Sequence, residues 1–476
     1  MSSFAIKKHQ LCGFILTAVT LLSVVTFGMK DAVGTNGVNA YAVHEKGITG
    51  DGVNIALLSV GNVRESHAAF ERSYGSAVRL YDFGGEGLAR SNHDTHLAGI
   101  IISAGSPTHP AQIGVSPGAK IHSGRISGRQ VQTKYLQEAL DELILKKNCR
   151  VIVTGIQISS ENVVPDGTSY WTKIYDYYGE TYDVLFANAA GNFTPYTTIF
   201  GDSYNGITTA GLCKDNENHY RQMGRASNSG PTLDGRNKPD VSAPTENLTV
   251  PASSGDDLWA AADPNGLGLT SFAVPYTAGV AALLFEAAGK TPADDDDRTE
   301  VIKAVMVNST FTDLVDKNGL AANSAGWNRD YGYGRLDALR AYETLTADRI
   351  VKDRSARQSK GWAYDTMPQN TEHIYRLAGR DGQQLVATVT WHRKLIKLSS
   401  TRYIKEPVTF ELSLKIISPS GKTVVFETPD RNNLIKINHR LNEDGDYQIV
   451  LKNPTEADNR DYGLAFEIID SQAKQD

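Results

Sequence analysis

The chain has 476 residues, 40% hydrophobic and 21% charged, with 43 glycines and a net charge of −6 from 48 basic and 54 acidic residues. The apolar content excludes a disordered chain, and the glycines follow no collagen-like period. The acidic balance carries no electrostatic footprint for nucleic acid, and the same arithmetic excludes a coiled coil or a multi-pass membrane protein.

Lys7 and Lys8 precede an apolar run from Leu11 to Phe27, and Thr26 and Gly28 are small residues at cleavage spacing. Residues 1–28 therefore read as a secretory signal, removed on export to the periplasm or the extracellular space. At about 17 residues, with Thr and Ser interspersed, the run is marginal as a spanning helix. Left uncleaved, it would be an anchor. Cys12 lies near the start of the run, which argues against a lipoprotein. The other cysteines, Cys149 and Cys213, fall at opposite ends of a predicted parallel sheet. No disulfide is expected, because a bridge needs Cα atoms within about 7 Å.

From about Gly34, buried strands are predicted at Val53–Val60, Lys120–Arg125, Arg150–Ile158, Asp183–Ala189 and Gly206–Cys213. They alternate with helix-like stretches at residues 93–104, Thr133–Lys146, Thr270–Ala288 and Arg298–Ser309. This is the pattern of an α/β domain, a parallel sheet with helices on both faces, spanning residues 34–347. The Asp294–Asp297 run reads as a solvated helix start, since the ligand spacing of a calcium loop is missing. Residues 348–361 are basic and poor in apolar side chains, and read as a linker. Beyond them the period is two: Phe410, Leu412, Leu414 and Ile416; Tyr447, Ile449 and Leu451; Leu464, Phe466 and Ile468. With turns at Ser418–Gly421 and Asn442–Gly445, residues 362–470 read as an all-β sandwich, jelly-roll-like. Trp391 reads as a core aromatic of that sandwich.

Three segments carry chemistry when read together. His93-Asp94-Thr95-His96-Leu97-Ala98-Gly99 enters a helix of small and apolar residues. Leu185 to Asn192 is an apolar strand ending in Gly191-Asn192. Thr270-Ser271-Phe272-Ala273-Val274-Pro275 opens a helix, where the dipole and the Ser271 N–H favour a developing oxyanion. His93 offers a base and Asn192 an amide donor. His93, Asp94 and His96 as a metal site is a poor alternative.

The chain here resembles the subtilisin-like serine peptidases, the subtilase family, over about Gly34 to Tyr342. The family histidine motif His-Gly-Thr-His-Val-Ala-Gly appears as HDTHLAG, and the serine motif Gly-Thr-Ser-Met-Ala-x-Pro as LTSFAVP. Asn192 falls at the family's oxyanion asparagine. Supporting stretches are Ser229-Gly230-Pro231, Lys238 to Pro244 and Gly332 to Leu336. The C-terminal segment resembles the β-sandwich appended to many secreted subtilases, notably at Ala387 to Trp391. The resemblance implies Ser271 as nucleophile, His93 as general base and acid, and Asn192 with the Ser271 N–H as oxyanion hole. It implies polypeptide substrates, and it leaves a structural calcium open.

The departures lie at the cleft. Ser59 occupies the position of the family's catalytic aspartate, at the end of the strand Val53 to Leu58. Asp94 and Leu269 each replace a motif glycine. Where the family has a small substrate-edge strand, this chain has Gly155-Ile156-Gln157-Ile158, whose side chains are expected to crowd the substrate. Ser59 is expected to accept from His93 Nδ1–H without supplying charge, and Ser59→Asp is expected to restore it. Asp94 is not expected to serve, because successive helix side chains do not face one another. Glu65, in the loop beyond Gly61, is the other nearby carboxylate. The family-like start follows the predicted signal almost at once, leaving no room for an inhibitory pro-segment. Two functional classes therefore stay open: a secreted serine endopeptidase with impaired activity, and an inactive pseudopeptidase serving as a protein-binding or scaffolding module.

Overall fold

The structure is a computed structural model that describes residues 28–128, 131–156, 158, 164–321, 326–399, 402–405, 412–428, 431–454 and 459–470. The predicted signal, save Gly28, lies outside the described residues, as do Gln157 and Phe410.

The first unit contains α1 (Met29–Val33), β1 (Asn54–Ser59), β2 (Val78–Asp82), α2 (Asn92–Ile102), β3 (Lys120–Arg125), α3 (Thr133–Leu140) and β4 (Cys149–Thr154). It continues with α4 (Tyr170–Tyr182), β5 (Leu185–Ala189), β6 (Ile207–Lys214), β7 (Val241–Pro244), α5 (Thr270–Ala288), α6 (Thr299–Asn308) and α7 (Ala338–Leu345). The sheet runs β7-β6-β5-β4-β1-β3-β2, and every neighbouring pair is parallel. Tyr220–Met223 adds an antiparallel strand to β6. A parallel sheet must be covered on both faces, and its side chains divide accordingly. Ile55 and Leu57 of β1 join the cluster containing α2 and α5, whereas Ala56 and Leu58 join the one containing α3 and α4. α5 is almost entirely buried, which explains why all its faces are apolar.

Packed structure begins before Gly34. Met29, Ala32 and Val33 are fully buried, and Met29 N–H donates to Gln112 Oε1 at 2.7 Å. The predicted helix Thr133–Lys146 is α-helical to Leu140 and then π-helical over Asp141–Lys146. The acidic run is engaged by side chains: Asp297 pairs with Arg150, Asp295 with Arg349, and Asp296 accepts from the Thr291 hydroxyl. Cys149 and Cys213 are buried and unpaired, and burial pushes both thiols up to about 12.

The second unit contains β8 (Ser355–Ala356), β9 (Lys360–Met367), β10 (Glu372–Gly379), β11 (Gln384–Trp391), β12 (Leu395–Ser399) and β13 (Arg402–Lys405). Then come β14 (Ser413–Ile417), β15 (Thr423–Glu427), β16 (Leu434–Arg440), β17 (Gly445–Lys452) and β18 (Arg460–Ile469). Two sheets, β8-β10-β17-β14-β15 and β9-β18-β11-β16, enclose a core with Leu414, Ile449, Phe466 and Trp391.

The segment 348–361 is not a free linker. Ile350 is buried in the sandwich core, Ser355–Ala356 pairs with Arg376–Leu377, and β9 starts at Lys360. Three of its basic residues are ion-paired against the packed units, Arg349 with Asp295, Lys352 with Asp365 and Lys360 with Glu343, which composition alone does not distinguish from a tether.

Nor are the two cores independent. The alternation in β11 and β18 sends Ala387, Val389, Leu464 and Phe466 into the sandwich, while Thr388, Thr390, Gly463 and Ala465 face the first unit. Thr388 Oγ1 donates to Asn308 Oδ1 at 3.0 Å, and Lys436 Nζ donates to the Val307 carbonyl at 2.9 Å. Trp362, Leu434 and Ala465 belong to the core cluster of the first unit. A Cβ built on Gly463 would lie 2.3 Å from the Glu300 carbonyl, so only glycine lets α6 approach this closely. Deleting residues 348–476 should therefore expose an apolar face, and the truncated protein should aggregate or melt well below the full chain. Gly463→Ala should cost about 1–3 kcal/mol by overpacking. Thermal melts check both, and a truncated protein melting at the full-chain temperature would refute the shared core.

Candidate active site

The site forms at the carboxyl ends of the central strands, where open parallel sheets place their ligands. Ser59 is the last residue of β1. The loop beyond it reaches α2, whose N-cap, Ser91, accepts from Asp94 N–H at 3.2 Å. That cap sets the first turn so that His93 looks partly outward and Asp94 inward; the His93 side chain is 38% exposed and that of Asp94 1%.

Asp94 is where the structure departs most from the sequence reading. Ser59 Oγ donates to Asp94 Oδ1 at 2.6 Å, and His93 Nδ1 lies 3.2 Å from the same oxygen. The expectation that Asp94 faces away from His93 is wrong here. The rule of non-facing neighbours describes side chains extended on a helix surface. In a first turn packed against β1, the Ser59 hydroxyl holds the short carboxylate beside the neighbouring ring. The Ser59 hydroxyl does not accept from His93 Nδ1; it donates to the Asp94 carboxylate that lies beside it. Restoring a charge through Ser59→Asp is therefore unnecessary, since a carboxylate is already present. Glu65 is engaged elsewhere, with Arg90 at 2.9 Å.

Gly61 leaves the space for Asp94, and Gly155 leaves the space for Leu97. A Cβ on Gly61 would lie 2.8 Å from Asp94 Oδ2, and one on Gly155 would lie 2.7 Å from Leu97 and 3.5 Å from His93 Cε1. Magnitudes favour the carboxylate over the hydroxyl as the partner of a charged His93. At 3.2 Å an ion pair gains on the order of 5 kcal/mol at an effective dielectric of 20, less what solvent screens at the exposed side of the ring, against about 1 kcal/mol for a neutral hydrogen bond.

Ser271 is the second residue of α5 and is partly exposed. Its neighbours tie it to the rest of the site. Thr270 N–H donates to Asn192 Oδ1 at 2.9 Å, and Thr270 Oγ1 donates to the same oxygen at 3.2 Å. The Phe272 ring lies 5.8 Å from that of His93 and 6.1 Å from that of His96. Pro275 supplies no N–H to the Ser271 carbonyl four residues earlier, so the first turn carries one helical bond fewer. Asn192 is steadied in turn by its loop: Thr194 N–H donates to Asn228 Oδ1 at 2.7 Å.

Sequence reasoning missed Asp263 and Thr270. Asp263 accepts from Leu267 N–H at 2.9 Å and from Gly268 N–H at 2.8 Å, clamping the turn that delivers Ser271. Leu269, in place of the motif glycine, packs partly buried against the core. His96 is buried, and desolvation lowers it to about 4, so it stays neutral beside His93.

Of the substrate-edge residues, Ile156 and Ile158 pack partly buried against the cluster that contains Ile199 and Phe200. Ile158 also bridges Ile199. Their apolar surface is thus at least partly turned toward that cluster, whereas the sequence reading had it crowding the substrate. Among the described residues, Asp215, Glu217 and His219 are grouped closely enough for a metal, with ligand atoms within 4.8 Å. Asp215 already accepts from Glu217 N–H and His219 N–H, and Arg221 lies against both carboxylates.

Comparison with known protein families matches residues 45–334 to Peptidase_S8, the Subtilase family. Solved structures with a similar chain include the prenylagaramide maturation protease PagA, 19% identical with a TM-score of 0.48 over 64% of this chain and 98% of that one. They also include the self-cleaved protease domain of PatA, 22% identical with a TM-score of 0.46 over 63% of this chain and 98% of that one. The family match spans well over half of the chain and contains His93, Asn192 and Ser271 in order. The chain therefore belongs to the subtilase family of subtilisin-like serine proteases, which act on polypeptides.

Proposed function

We propose that the protein is a secreted serine endopeptidase that cleaves peptide bonds through an acyl-enzyme on Ser271. The observation that carries this reading is the double acceptance by Asn192 Oδ1 from Thr270, the residue before Ser271. With its oxygen so held, the Asn192 amide is oriented by the helix that carries the nucleophile. A pure scaffold has no need to couple these two residues.

In the first half-reaction the Ser271 hydroxyl proton passes to His93 Nε2 as Oγ bonds to the scissile carbonyl carbon. The negative charge moves to the carbonyl oxygen, where the Ser271 N–H and the Asn192 amide donate to it. The oxyanion collapses, the C–N bond breaks, and His93 gives its proton to the departing amine. Water then repeats the sequence: its proton goes to His93, its oxygen bonds to the acyl carbon, and Ser271 leaves reprotonated. Export is supported by Lys7, Lys8 and the apolar run Leu11–Phe27.

A fluorophosphonate should label the full-length protein on Ser271, and both labelling and peptide hydrolysis should vanish in Ser271→Ala and His93→Ala. A folded protein that neither labels nor cleaves would overturn the reading in favour of a binding module. Asn192→Asp keeps the acceptor for Thr270 but removes the amide donor. It should lower kcat by about 10²–10³-fold with KM little changed, measured on a peptide substrate.

A further inference from the structure

We infer that Asp94 is the positioning carboxylate of the Ser271–His93 pair, supplied from the helix where the family supplies it from the strand, with Ser59 as its orienting donor. The inference rests on the endopeptidase reading and assigns a role within that site. An ionised carboxylate accepts only, so the 3.2 Å contact with Asp94 Oδ1 places the proton of a neutral His93 on Nδ1 and leaves Nε2 free to take the Ser271 proton. When His93 becomes an imidazolium, its counter-charge is already in place.

Four observations support this role. Asp94 is fully buried, where an ionised group is costly unless paired. Among the described residues, His93 is the sole basic side chain within ion-pair distance of Asp94. Glu65, the other carboxylate considered from the sequence, is committed to Arg90. Ser59 Oγ donates at 2.6 Å to the same Asp94 oxygen that His93 Nδ1 approaches.

The family arrangement and this one are reciprocal: aspartate on the strand and glycine on the helix, against Ser59 on the strand and Asp94 on the helix. The pair can therefore be exchanged. Fluorophosphonate labelling and peptide hydrolysis are compared for wild type, Asp94→Asn, Asp94→Gly and Ser59→Asp/Asp94→Gly, with thermal melts of each. Asp94→Asn and Asp94→Gly should lower kcat by about 10⁴-fold, the magnitude seen when serine-protease triads lose this carboxylate. Ser59→Asp in the Asp94→Gly background should recover at least about tenfold, which a merely structural role for Asp94 would not produce. If wild type labels on Ser271 but Asp94→Asn, melting normally, labels as fast, the inference falls while the endopeptidase reading stands. It also falls if a folded double variant is no faster than Asp94→Gly. An inert wild type would bring down the endopeptidase reading itself.

Discussion

A carboxylate with no exposed surface must be met by donors or by a cation, and the arrangement of this site follows from how Asp94 satisfies that requirement. Its Oδ1 takes the Ser59 hydroxyl on one side and approaches the His93 ring on the other. Those two contacts fix the end of β1 against the first turn of α2. The Ser91 cap is then needed to start the helix at the right residue, and Gly61 is needed to leave room for the carboxylate. Each of these local features is ordinary alone; together they set His93 beside a buried carboxylate.

Ser271 is held by a second, separate set of constraints. Asp263 fixes the turn before α5, Thr270 ties that turn to Asn192, and Asn228 steadies the loop beyond Asn192. The two sets meet at Phe272, whose ring lies near those of both His93 and His96. Because α5 is buried along its length, the position of Ser271 depends on the whole first core, and that core is completed by Trp362, Leu434 and Ala465 from the second unit. The sandwich thus contributes to the packing on which the site rests, without placing a residue in the described part of it.

Most of the fold is legible in the sequence because burial leaves periodic marks. The five predicted parallel strands appear within a few residues of their expected bounds, and α5 spans Thr270–Ala288 as read. α4 escapes such a reading because its sequence, Tyr170 to Tyr182, is dense in aromatic and polar side chains and shows no clean apolar stripe. β2 escapes it because only Val78 of its five residues is buried, and β7 because four residues give too short a pattern. The 348–361 segment misleads because basic residues that pair with acids of the packed units have the composition of a tether. At the site, His93, Asn192 and Ser271 can be found from motif residues, whereas the contact of Asp94 with His93 cannot. It depends on the side-chain direction at a helix start and on a hydroxyl that is 35 positions away in sequence.

Ser59 and Asp94 also account for each other's size. A strand-end aspartate at residue 59 would occupy the space into which the Asp94 carboxylate now reaches, since the Ser59 hydroxyl is already at hydrogen-bond distance from it. Two carboxylates there would repel unless they shared a proton. Conversely, glycine at residue 94 beside serine at residue 59 would leave the His93 ring without an anion and the buried hydroxyl without its acceptor. Either residue is a defect without the other, because one removes the negative charge and volume that the other returns. The substitution at the motif aspartate, which looks from the sequence like the loss of a catalytic group, is in the structure half of a paired exchange that leaves one carboxylate beside His93.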